Sequence, residues 1–203
     1  MADQIKSIID RISALQAELE QAFDERKKNF GFTLEKQKVK FLAGDLAAQK
    51  KFKRLLFTYV LNARFLVILS SPVIYSLVLP LAMLDLFVTL YQAICFPIYK
   101  MERVKRCEYI ILDRHKLGYL NTLEKINCAY CGYGNGVLAY ATEIAARTES
   151  YWCPIKHARK MAGYHRWYSN FADYGDAENY LEDLKRNMEA VQRALPEDPD
   201  NKA

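Results

Sequence analysis

FLVILSSPVIYSLVLPLAMLDLFVTLYQAICFPIY, residues 65–99, carries one charged side chain, Asp85. A core helix of a soluble protein keeps a polar face, whereas a segment surrounded by lipid is apolar all round. Phe65 to Leu84 is 20 residues, which at ~1.5 Å per residue covers a hydrocarbon layer of ~30 Å. The apolar character continues through Leu86, Phe87, Val88, Leu90, Tyr91, Ile94, Phe96 and Ile98, more than one straight helix requires. Pro72 and Pro80 interrupt the run, and Ser70-Ser71-Pro72 has the form of a helix start, with Ser71 as cap and Pro72 in the first turn. These features predict a Pro-interrupted hydrophobic hairpin over 65–99, with a single crossing as the alternative.

Working outward, basic residues flank the segment on both sides: Lys50, Lys51, Lys53, Arg54 and Arg64 before it, Lys100, Arg103, Lys105 and Arg106 after it. Positive charge stays on the cytoplasmic side, so a hairpin places both termini in the cytoplasm of an inner-membrane protein whose partner is the lipid bilayer. Tyr59, Tyr91 and Tyr99 suit the membrane interface. Asp85 is either a polar bend near the headgroups or an intramembrane carboxylate that binds an ion, carries a proton or pairs with Arg64. No second copy of the segment occurs, which argues against a transporter built from repeated halves.

The chain has 203 residues, a formal charge of +5 and 51% hydrophobic residues, enough for one ordinary domain or two small modules around a membrane segment. The positive charge clusters around the apolar stretch, so no nucleic-acid partner is expected. The opening residues lead straight into an amphipathic pattern, without the basic start, apolar run and cleavage site of a signal peptide. Ile5, Ile8, Ile12, Leu15, Leu19 and Ala22 recur in steps of three and four, a coiled-coil-like seam over 1–29. Phe30-Gly31-Phe32 interrupts it, and a basic helix over 34–64 leads to the membrane. Leu181, Leu184, Met188, Val191 and Leu195 repeat the seam over 176–196, before Pro196 and a polar tail at 197–203. The two terminal helices are expected to pair within one chain, or to mediate self-association or a protein contact.

Cys128-Ala-Tyr-Cys131-Gly132 puts two thiols three positions apart before a glycine, as in a zinc knuckle, and Cys153-Pro-Ile-Lys-His157 adds a thiol and an imidazole. Cys128, Cys131, Cys153 and His157 make a Cys3His set suited to tetrahedral zinc, with Cys107 or His115 as alternates for the fourth ligand. Residues 100–175 are therefore expected to form a cytoplasmic Cys/His metal module. The glycines from Gly132 to Gly136 are expected to lie in an irregular loop, either shaping the knuckle or, less simply, cradling phosphate, before a helix over Val137 to Arg147. Cys128 and Cys131 also admit a redox pair, although the alternating strand–helix context of such sites is missing. No nucleophile triad, carboxylate pair or His-Glu-x-x-His motif occurs.

Asp113-Arg-His-Lys-Leu-Gly-Tyr-Leu-Asn121, Asn127 to Gly136 and Tyr151-Trp-Cys-Pro-Ile-Lys-His157 resemble an uncharacterised family of bacterial membrane proteins. The resemblance implies bacterial origin and membrane placement, and it brings no activity. The sequence thus predicts a mainly α, membrane-anchored helical protein with a small metal-binding module, acting as a non-enzymatic scaffold or accessory protein with a structural zinc. The alternatives are a membrane oxidoreductase or haem/iron electron-transfer protein using the same thiols, and a small ion transporter centred on Asp85.

Overall fold

The structure, a computed structural model, describes residues 2–28, 32–35, 38–41, 43–53, 55 and 65–193. It is mainly helical and divides into two compact units, Met1–Arg54 with Lys116–Leu120, and Leu55–His115 with Asn121–Lys202.

In the first unit, α1 (Ala2–Lys28) is one continuous helix that contains the three-four apolar rhythm of Ile5 to Ala22. The expected basic helix from Leu34 is replaced by an antiparallel hairpin of β1 (Phe32–Glu35) and β2 (Lys38–Phe41), followed by the short α2 (Ala43–Lys50). The reason is the local period. Phe32, Leu34, Val39 and Phe41 alternate with Thr33, Glu35, Lys38 and Lys40, a two-residue rhythm that suits a strand and not a helix. The register sets Phe32 opposite Phe41 and Glu35 opposite Lys38. Residues 54 and 56–64, the rest of the expected basic helix, lie outside the described residues. Gly118 closes on α2, where its N–H donates to Gln49 Oε1 at 2.9 Å.

The second unit begins with α3 (Phe65–Ser76) and α4 (Val78–Ile98), joined through Leu77 alone. The expected hairpin does not form: the chain continues as one long apolar helical run, and Pro72 lies inside α3 instead of starting it. Two serines explain how the prolines are absorbed. Pro72 has no N–H to offer the Ile68 carbonyl, and Ser71 Oγ donates to that carbonyl at 2.8 Å instead. At Leu77 the backbone tightens, its N–H going to Ile74 O at 3.3 Å, and Ser76 Oγ takes the freed Val73 carbonyl at 2.7 Å. Pro80 then falls in the first turn of α4, where a backbone donor has no intrahelical partner to lose.

α4 ends in a Schellman turn. Met101 N–H reaches Phe96 O at 2.8 Å, Lys100 N–H reaches Pro97 O at 3.2 Å, and Lys100 takes the left-handed conformation, φ 57°. Phe96 and Met101, both buried, supply the apolar contact that accompanies this motif. The chain then returns along α4, where the Gln92 side chain brackets Val104, accepting from its N–H at 2.9 Å and donating to its carbonyl at 3.2 Å. A single turn, α5 (Arg106–Tyr109), lies on this return segment.

α6 (Thr122–Trp152) is one continuous helix across the region expected to be a loop. Its start is fixed by a capping box: Asn121 Oδ1 accepts from Glu124 N–H and Glu124 Oε2 accepts from Asn121 N–H, both at 2.9 Å. Helical glycines cost about 1 kcal/mol each relative to alanine. Here they let neighbours approach: a Cβ on Gly136 would stand 2.7 Å from Tyr109 O and 2.9 Å from Ile110 Cα, and one on Gly134 would meet Leu81 Cδ1 at 3.2 Å. α6 runs parallel to the α3–α4 run, with Tyr75 bonded to Asn127, Tyr133 to Asp85, Thr89 to Tyr140 and Tyr91 to Thr148. After a long aromatic-rich connection, α7 (Tyr180–Gln192) packs on α6, burying Asn187 and Val191. Of the seam expected at this end, Val191 is buried and Leu184 and Met188 are half-buried, Leu181 is 75% exposed, and Leu195 lies outside the described residues, as does the polar tail. The core joins Phe96, Met101, Val104, Tyr140, Ile144, Trp167, Tyr168, Phe171 and Val191.

Gly136→Ala is expected to destabilise the protein by about 1–3 kcal/mol, because the new methyl meets backbone that cannot swing aside. Gly132→Ala, whose Cβ would find ordinary contacts at 3.5 Å, is expected to be neutral or to gain up to about 1 kcal/mol of helix propensity. Thermal unfolding of the two variants side by side checks the contrast.

Candidate functional site

The face that α4 turns inward is its polar one. Asp85, Gln92 and Phe96 are buried, at spacings of seven and four, and α6 and the return segment cover them. Arg106 grips Asp85 with a fork, Nε to Oδ1 at 2.9 Å and Nη2 to Oδ2 at 2.6 Å, and Tyr133 OH donates to Oδ2 at 3.0 Å. Two turns further, Gln92 Nε2 donates to the hydroxyl of the fully buried Tyr140, which also lies 3.3 Å from Thr89 Oγ1. The Asp85 side chain is 11% exposed and that of Arg106 47%. The structure makes Asp85 one half of an ion pair with Arg106; Arg64, the partner expected from the sequence, lies outside the described residues.

A second polar knot ties the connection between α6 and α7 to the C-terminal half of α6. Glu143, buried, accepts from Arg147 Nε at 2.8 Å, Arg166 Nη2 at 2.5 Å and Trp167 Nε1 at 3.3 Å. Burial pushes its carboxyl up, but the Arg166 and Arg147 guanidiniums outweigh this and hold it below the ordinary glutamate value of 4.5. Arg147 also donates to Glu102 O at 2.9 Å, the Arg166 guanidinium stands 5.4 Å over the Trp167 ring, and His165 Nε2 lies 3.0 Å from Glu149 Oε2.

The four residues expected to share a zinc ion do not meet. Cys128 and Cys131 sit one turn apart in the first third of α6, Cys153 caps its far end, and His157 stacks on Tyr168 beyond it. From Cys131 to Cys153 the helix advances about 33 Å at ~1.5 Å per residue, whereas ligands of one zinc lie within about 2.3 Å of the metal. The knuckle needs a turn at Gly132, and the capping box at Asn121 with the close packing at Gly136 makes that stretch helical instead. The alternates do not repair the set: Cys107 is exposed on α5, and His115 Nδ1 contacts Leu112 O at 2.7 Å. Among the described residues no three His, Cys, Asp or Glu side chains come together as a metal site. Partial burial and the Glu149 carboxylate push the Cys153 thiol up, away from the thiolate form. The Gly132 to Gly136 amides lie within the helix, which removes the phosphate cradle.

Beside the polar ladder, α4 and α6 leave an open apolar groove of about 400 Å³, lined by Leu77, Leu81, Leu84, Tyr130, Cys131 and Leu138 among others. The ladder and the Glu143 knot are what the sequence reading missed. The signal of the ladder was present: Asp85, Thr89 and Gln92 share one helical face of an otherwise apolar stretch.

Comparison with protein families, curated proteins and solved structures found no match. The resemblance carried by Asp113 to Asn121, Asn127 to Gly136 and Tyr151 to His157 gains no support there.

Two outcomes are expected. Arg106→Leu strands a carboxylate whose side chain is 11% exposed and costs about 3 kcal/mol, whereas Asp85→Leu leaves a guanidinium that is 47% exposed and costs about 1 kcal/mol; denaturant unfolding compares them. The folded-state value of Glu143 is depressed, so its contribution is present above pH 4.5 and is lost as pH falls through the folded value. Glu143→Gln therefore flattens the acid limb of the stability–pH curve, measured as thermal midpoints between pH 3 and pH 7.

Proposed function

We propose that this chain is a non-enzymatic, membrane-anchored scaffold or accessory protein, with the α3–α4 run as its anchor and the bilayer as its first partner. One observation carries the reading: α4 is inside out. Its polar residues face protein, while Met83, Leu86, Phe87, Leu90, Ile94 and Ile98 on the other side are 52% to 69% exposed. In water this arrangement is penalised twice, by exposed apolar area and by buried charge. In lipid the first term reverses, since the outer face finds hydrocarbon, and the polar side chains Asp85, Thr89 and Gln92 are turned away from it onto internal partners.

The run from Ile68 to Ile98 is long and apolar enough to cross a bilayer. One crossing puts its two ends on opposite sides, so placing both flanks in the cytoplasm no longer follows from their charge. The inner membrane of a bacterium remains the location that the basic flanks suit. Support for a non-catalytic role comes from closure: Asp85 and Glu143 each hold three donors from the protein itself. The thiol pair of the oxidoreductase alternative, Cys128 and Cys131, lies one turn apart within α6, with Cys153 at the far end of that helix.

The test is whether α4 touches acyl chains. Full-length chain is expected to stay in the membrane pellet after an alkaline carbonate wash, and in vesicles of brominated lipid the fluorescence of a Leu90→Trp variant is quenched while that of a Gln16→Trp variant is not. A chain that stays soluble and monodisperse without detergent, or a Trp at 90 blind to brominated lipid, overturns the anchor.

A further inference from the structure

α1 carries an unused surface of its own. Ile8, Ile12, Leu15 and Leu19 form one stripe and are 49% to 62% exposed. A 27-residue helix with such a stripe needs a cover, either a bilayer surface or another helix. Charge argues against lipid. Helices that lie on anionic membranes carry Lys and Arg on their polar face, whereas α1 holds six acids (Asp3, Asp10, Glu18, Glu20, Asp24, Glu25) against five bases (Lys6, Arg11, Arg26, Lys27, Lys28).

We infer that α1 pairs antiparallel with the α1 of a second copy of this chain. The spacing is self-complementary in that direction: about a two-fold axis, Ile8 levels with Leu19 of the second copy and Ile12 with Leu15, giving four apolar layers without a gap. Arg11 lies between the first two of these levels on one helix, and Glu18 lies between the same two on the other. Both are exposed beside the seam, so the antiparallel pair sets Arg11 against Glu18 twice. A parallel pair lacks this complementarity. It sets Arg11 against Gln16 and Glu18 against Phe23, and it matches Ile8, Ile12, Leu15 and Leu19 each with itself. Opposite charges flanking an apolar seam select the direction of helix pairing. The pairing does not depend on the membrane reading, because it rests on α1 alone.

The experiment is a charge-reversal cycle on the full chain in detergent, read by sedimentation at micromolar protein, with circular dichroism confirming unchanged helix content. Wild type is expected to be a dimer. Arg11→Glu and Glu18→Arg each weaken it at least tenfold, and the double variant R11E/E18R returns to within about threefold of wild type. Leu15→Glu, which breaks the seam, gives monomer. A monomeric wild type, a dimer indifferent to Arg11→Glu, or a double variant as weak as the singles overturns the proposal. Binding of the Leu15→Glu-sensitive face to anionic vesicles, with no dimer, assigns the stripe to lipid and overturns it equally.

Discussion

Asp85 is a carboxylate that has to be neutralised inside protein, and the way it is neutralised organises the second unit. Its partner, Arg106, is 21 residues on in the chain, so the backbone must reverse direction between them within a short reach. The Schellman turn at Lys100 makes the reversal, and Gln92 holds the returning strand by its backbone at Val104. Tyr133 and Tyr140 then draw α6 onto the same face. Buried ion pairs contribute little net stability, because desolvation offsets much of their attraction. Their effect here is on arrangement: any other path of the return segment leaves a charge buried without a partner.

How much of this was legible in the sequence can be argued element by element. The α1 seam and the apolar run from Phe65 were plain, since both rest on periodicity and composition over many residues. The direction of the run was not. Pro72 and Pro80 read as breaks because proline removes a donor, and the reading overlooked that Ser71 and Ser76 stand where their hydroxyls can serve the carbonyls affected. The β-hairpin was visible as an alternation from Phe32 to Phe41, but it lies among lysines that suggested a basic helix.

The four expected metal ligands stand apart in the structure for a related reason. Glycines at 132, 134 and 136 ordinarily mark a loop, and a loop beside Cys128 and Cys131 suggests a knuckle. The competing signal, Asn121-Thr-Leu-Glu124, is the capping box that opens α6, and a helix started there continues through the glycines because the return segment and α4 press against them. Whether a glycine is a hinge or a contact point depends on what lies opposite, which a single sequence does not display. The Glu143 knot is illegible for the same reason, as its partners come from Arg147 nearby and Arg166 beyond a loop.

The order of the chain also imposes a schedule. Asp85 leaves the ribosome well before the residues that neutralise it, since Arg106 follows 21 positions later and Tyr133 48 positions later. At roughly 5–20 residues per second, the wait for the arginine is about 1–4 s and that for the tyrosine about 2–10 s. During that interval the acid on α4 has only water to solvate it, so the nascent helix cannot settle among apolar neighbours. Until the return segment emerges, α4 must be kept near water or in the care of the cellular machinery that shelters unfinished chains.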